Sequence, residues 1–338
     1  MTGLKVLKSG PSLTLQDQGR PGFLGNGVSR GGAADLRGVA EGASLLGQSP
    51  ELAVLEMAGF GGSFEATGDV RIALTGAPMT AVVDGQPVAW NASHQLRAGQ
   101  VLEIGTAHNG VYGYLQLGGG IEGTETLGAV SAHLAAGLGR RTEEGDVLIA
   151  GPDSGTQTGL CLPLDPRFEG GEIRIVESFQ SDMFSPETRQ RFAETVFLRG
   201  ARANRMGVEM RSDGEGFAAR DQLNILSEII VPGDVQLTGD GRPFVLMREC
   251  QTTGGYPRIG SVVPCDLNKV AQAGLGSSVR FKWIGLDDAL EIEKRHAKEC
   301  QTLRNQCAPL RRDPADIPDL LSYQLIGGVI SADQDPFS

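Results

Sequence analysis

Three polar stretches contain the residue types from which chemistry could be built. Residues 251–260, QTTGGYPRIG, gather Gln251, Thr252, Thr253, Tyr256 and Arg258 around the adjacent Gly254 and Gly255. Paired glycines let backbone N–H groups approach a ligand closely, the hydroxyls and the amide add neutral hydrogen bonds, and the arginine adds a fixed positive charge. Such a set suits a planar amide or ureido ligand and an oxyanion developing on it. The same residues could also form a bulged hairpin with a surface arginine. In ANRMG, residues 203–207, Asn204 offers both donor and acceptor and Arg205 a fork matched to carboxylate, carbamate or phosphate. An Asn-stabilised turn is the plain alternative. In LQDQGRPGF, residues 15–23, Asp17 and Arg20 flank Gly19 ahead of Pro21 and Gly22. They could be a structural ion pair or an arginine facing an anion.

Other motifs carry less. GVSRG at 27–31 fits the G-x-S-x-G elbow, but the glycine-broken PGFLGN before it is no strand and no histidine is marked as the base, which makes Ser29 a loop residue. GGGIEG at 118–123 fits G-x-G-x-x-G without a credible second strand, so a tight turn is expected. There is no GxxxxGK[ST] phosphate loop and no Met-Lys-Met biotinylation site. ATP or biotin chemistry would therefore need another polypeptide.

The elements that must position these residues read as mainly β with a few helices. In the first half, strands at Ser63–Thr67, Val70–Leu74 and Thr80–Val83 are separated by TGD, TGAP and DGQP turns. A helix rich in small residues is expected over Ala34–Leu46, ended by Gly47. GPDSGTQTG at 151–159 reads as a linker, giving an N-terminal domain over 1–155 and a second over 156–285. The second carries a helix with Ser185 as N-cap and Pro186 at its first position, then strands at SEIIV, DVQLT, PFVLM and SVRFKWI. A docking helix from about Leu286 to Cys307 and a polar tail with an apolar island, LIGGVI, fill 286–338.

Composition narrows the function. A net charge of −11 without a basic block argues against nucleic acid. Five cysteines without a CxxC pair fit reduced thiols, and four scattered histidines give no metal-ligand spacing, so no metal is expected. With no signal peptide and no membrane-length apolar run, a soluble cytoplasmic protein is expected.

LTLQDQGRPGF, GVSRGGAADL, LEMAGFGGSFEATGDVRIALTGAPM, GGGIEG, NRMG and QTTGGYPRIG occur here in one order. In these blocks the chain resembles the biotin-dependent carboxyltransferase family, which includes the C component of 5-oxoprolinase, the KipI antagonist, allophanate hydrolase subunit 2 and the carboxyltransferase region of urea carboxylase. The resemblance implies tandem cyclophilin-like β-barrel domains, and as partners the KipI-like B component and the A component of 5-oxoprolinase. It implies a small amide substrate, with ATP shared with those partners, and inactivity of the chain alone. Arg258, Arg205 and Tyr256 become candidate catalytic groups, and Asp17, Arg20, Asn204, Gln251, Thr252, Thr253, Gly254 and Gly255 candidate lining. Opening of 5-oxoproline to glutamate is the first expectation. The alternatives are carboxyl transfer from carboxybiotin, carried by another chain, to urea or a similar amide, and a non-catalytic regulatory role. The chain departs from the SGAMD of many relatives with GGAAD at 31–35, and places Ala135 where an arginine is common.

Overall fold

The computed structural model describes residues 2–219 and 226–311; LIGGVI lies outside the described residues. The N-terminal strands divide between two sheets. One orders Val147–Ile149, Gly3–Lys8, Ser63–Ala66, Val101–Ala107, Met79–Val83 and Gln86–Pro87. Asp84 and Gly85 both take positive φ (49° and 77°) in the turn joining the last two, the geometry a two-residue hairpin requires. The other orders Leu13–Gln16, Val54–Ala58, Tyr112–Leu117, Val70–Gly76, Ala92–Leu96, Leu160–Cys161 and Ala308–Pro309. Leu4, Val6, Phe64 and Ile104 from the first sheet meet Leu13, Leu55, Ile72 and Leu115 from the second in one apolar core.

Helix α1, Leu36–Leu46, covers the other face of the second sheet. Hence Val70–Gly76 and Tyr112–Leu117 are buried at every position, as strands covered on both sides must be. Its small residues set that approach: a Cβ on Gly38 would lie 2.9 Å from the Tyr114 ring, and one on Gly42 2.1 Å from the Gln116 amide. The helix starts two residues later than the sequence suggests because Glu56 binds the Ala34 N–H and Asp35 serves as N-cap, its carboxylate accepting from Gly38 N. Gly47 ends it in the left-handed conformation, as expected.

The second half is a closed barrel of Gly171–Val176, Arg258–Val262, Asp234–Leu237, Pro243–Leu246, Gly207–Arg211, Phe197–Ala203 and Ser278–Trp283, sealed by parallel pairing of the first strand with the last. Its core holds Phe192, Phe197, Phe217 and Phe281 with ring centroids 4.9–5.8 Å apart. Phe192 comes from helix α2, Pro186–Glu194, which Ser185 caps by accepting from Thr188 N. SEIIV supplies only the short strand Glu228–Ile229, which pairs outside the barrel with Thr253–Gly254.

The two halves share a seam. Helix α3, Leu267–Gln272, presents Gln272, which donates to Asp35 and to Tyr112 O and accepts from Val111 N and Tyr112 N. Arg167 binds Asp35 and, bidentately, Glu41. Residues 151–159 form no element, yet Arg71 pins them through Asp153 and Gln157 O. Helix α4, Leu286–Thr302, passes into a 3-10 turn whose Arg304 binds the carbonyls of Ser44 and Leu45 at the end of α1. Strand Ala308–Pro309 then joins the N-terminal sheet beside Leu160–Cys161.

Candidate functional site: a neutral cleft beside a charged seam

The turn that carries ANRMG faces two ways. Asn204 Oδ1 accepts from Met206 N and Gly207 N, fixing the turn. Arg205 reaches into the seam and crosses it: it pairs with Glu56, donates to Glu249 Oε1 at 2.5 Å and to Gly32 O at 2.6 Å, and meets Gln16 Oε1 at 3.3 Å. Burial opposes its charge, but Glu56 and Glu249 outweigh that and hold the guanidinium above its ordinary range. Glu56 is equally well satisfied, its other oxygen accepting from Ala34 N and the Tyr114 hydroxyl.

Asp17 and Arg20 lie nearby without pairing directly. Asp17 accepts from the Ser131 hydroxyl, Gly19 N and Val130 N, while Arg20 donates to Thr126 O and Ser131 O. Both therefore clamp the 126–131 loop. Arg20 is 1% exposed.

On the other side of the same turn, a cleft of about 640 Å³ opens on the barrel. Met206, Ile230, Phe244, Leu246 and Cys250 supply apolar surface, and Asn204, Gln236, Thr238, Gln251 and Tyr256 add neutral polar groups. Arg202 is the charged residue of the lining, held by Glu209 at 2.8 Å. Gln236, 7% exposed, has a buried Nε2 with no hydrogen-bond partner. A buried donor without an acceptor costs about 1–3 kcal/mol. Gly254 borders it, since a Cβ there would lie 2.8 Å from this Nε2.

QTTGGYPRIG is thus split. Gln251 and Tyr256 line the cleft, with Tyr256 half exposed at the rim, and Thr253–Gly254 forms the short strand at its edge. Thr252 gives its carbonyl to Ile230 N, and Gly255 is exposed in the turn that follows. Arg258 is buried and braces the fold, donating to Glu228 Oε2 at 2.6 Å, Ile229 O at 3.0 Å and Gln180 Oε1 at 3.3 Å, with Asp234 at 3.4 Å. It is not part of the cleft lining.

The seam also joins Ser29 to a histidine that the sequence does not mark: Ser29 Oγ lies 2.8 Å from His133 Nε2, both side chains buried. His133 Nδ1 accepts from Ala136 N at 3.2 Å, so the ring proton sits on Nε2 and points at the serine. A serine that accepts from its histidine is not activated by it. Glu249 stands 3.9 Å from Nδ1, beyond hydrogen-bond reach. Among the described residues no group of His, Cys, Asp and Glu could hold a metal ion, and no helix is long and apolar enough to cross a membrane.

Gln236, Phe244, Glu56, Glu249 and His133 escape sequence reasoning. Glu56 alone left a signal, a carboxylate inside the apolar run VLEMA.

Two sheets and a seven-stranded barrel joined through an arginine-centred seam define a carboxyltransferase-type fold, and residues 26–283 match the carboxyltransferase domain, subdomains A and B. The chain belongs to that family. It is 31% identical to the C component of 5-oxoprolinase from Haemophilus influenzae over 84% of this chain and 92% of that protein. It is 26% identical to the urea amidolyase of Saccharomyces cerevisiae over 87% of this chain, but this covers 17% of that protein. The crystal structure of TTHA0988 superposes with a TM-score of 0.75 at 29% identity, covering 83% of this chain and 56% of that one.

Proposed function

We propose that the chain acts within a 5-oxoprolinase, opening 5-oxoproline to glutamate together with the A and B components of such an enzyme, and that the barrel cleft holds the cyclic amide. The observation that carries this reading is the unmatched Gln236 Nε2 in a cleft whose other polar groups, Arg202 apart, are neutral and lie over apolar side chains. An amide carbonyl supplies the missing acceptor, and the ring methylenes suit the apolar surface. The near full-length likeness to the C component of a 5-oxoprolinase supports the same substrate.

Amide resonance resists attack on the lactam; phosphorylation of its oxygen by ATP would remove that resonance, so that water could add to the carbon and the C–N bond break, phosphate being released afterwards by a second water. This chain's part is to orient the ring and hold its oxygen, with Gln236, Gln251 and Tyr256 as donors. The test is 5-oxoproline-dependent ATP hydrolysis by the co-expressed complex, comparing wild type with Gln236→Leu. A loss of about tenfold in kcat/KM is expected, about 1.4 kcal/mol. Full activity in the variant would remove the cleft from the reaction. The urea amidolyase likeness favours a second reading, carboxyl transfer to urea. Avidin-sensitive carboxylation of urea without 5-oxoproline turnover would establish it instead.

A further inference from the structure

The seam holds one arginine that its saturated ion pairs leave out. Arg248 makes no hydrogen bond or ion pair through its side chain among the described residues, and its Nε is buried without a partner. Its backbone carbonyl receives Gly31 N, which fixes it against the 29–33 loop. The carboxylates nearby are already taken. Glu56 is filled by Arg205, Ala34 N and the Tyr114 hydroxyl, and Glu249 by Arg205 with a long contact from Ala135 N. Arg20 Nη1 is also buried without a partner, 3.3 Å from where a Gly31 Cβ would stand. Gly31 and Gly32 both have positive φ (63° and 85°), so the loop that meets the Arg248 carbonyl takes a conformation other residues rarely adopt.

We propose that this part of the seam is a seat for a small oxyanion, a carboxylate or a phosphate, bound by the unmatched N–H donors of Arg248. A guanidinium fork fits two oxygens of such a group, and a half-buried position strengthens the contact. Without the anion the site is electrostatically unfavourable: burial, and then the neighbouring Arg30, push Arg248 down to about 10. The seat lies on the seam side of the 203–207 turn, apart from the neutral cleft. It requires an oxyanion only, and so does not rest on the amide reading.

The test uses the full chain in a chloride buffer, with calorimetric titration and thermal unfolding in the presence of inorganic phosphate, 5-oxoproline or 2-pyrrolidinone, the same lactam without its carboxylate. Phosphate, 5-oxoproline or both should bind and raise the unfolding midpoint in a way that depends on Arg248, while 2-pyrrolidinone should not displace phosphate. Arg248→Gln should weaken the anion by about tenfold or more, whereas Lys294→Gln, at an exposed pair on α4, should leave it unchanged. Arg248→Gln should also unfold at or above the wild-type temperature without anion, because it removes an unpaired buried charge. Arg248-dependent phosphate binding alone assigns the seat to a phosphate group; Arg248-dependent 5-oxoproline binding alone assigns it to a carboxylate. The proposal is overturned if neither anion binds wild type, if Arg248→Gln binds as tightly, or if that variant loses several degrees of stability. The amide reading would fail separately, through absent 5-oxoproline-dependent ATP hydrolysis by the complex.

Discussion

The seam and the cleft are one turn apart and built from opposite materials. Arg205 and Asn204 are neighbours in sequence, yet the arginine is buried among Glu56, Glu249 and Gly32 O while the asparagine and Met206 face a cleft of neutral groups. Ion pairs join the halves over a shared apolar cluster, and neutral donors are left for a ligand. The contrast is physical: a buried ion pair needs every lone pair matched, whereas a binding cleft must keep something unmatched for its guest.

The largest expected effect tests the seam. Arg205→Met leaves Glu56 and Glu249 without their cation and should cost about 3–5 kcal/mol in denaturant unfolding. If stability held and only activity fell, the division between the two regions would collapse. Arg258→Met should lose about 2 kcal/mol, since buried Asp234 loses a partner while Glu228 is half exposed. In the cleft the signs separate: Gln251→Ala should stay within about 0.5 kcal/mol of wild-type stability while lowering kcat/KM of the complex. A matching drop in stability would make Gln251 one more brace.

The smallest effect is a pH dependence in the seam. Burial lowers the pKa of His133 below its usual 6.5, with Glu249 pulling the other way. The unfolded imidazole therefore takes a proton first, so this contribution to stability is present above pH 6.5 and declines as pH falls below it. His133→Gln should flatten the unfolding midpoint in that window. An unchanged slope would mean the imidazole is not held neutral.

Local devices were legible in the sequence and distant partnerships were not. Ser185, Gly47 and the Asp84–Gly85 turn act within a few residues, so their types announce them. Glu56 meets Arg205 across 149 residues, and nothing local distinguishes a partnered arginine from a free one. For the same reason Arg258 and Arg205 suggest chemistry in sequence and prove to be saturated in structure, whereas Arg248, with no motif around it, is left open among the described residues. Tyr256 and Gln251 were legible because turn glycines and neutral polar groups cluster within one stretch.

The short strand Ala308–Pro309 has a consequence for how the molecule is made. The sheet begun near residue 13 receives its last strand only after the whole barrel has been synthesised. The first half thus emerges with an unfinished edge beside Leu160–Cys161, and an unfinished edge is where a chain can pair with a stranger. The edge closes only when α4 and that strand dock, after a barrel that contributes no strand of its own to the sheet.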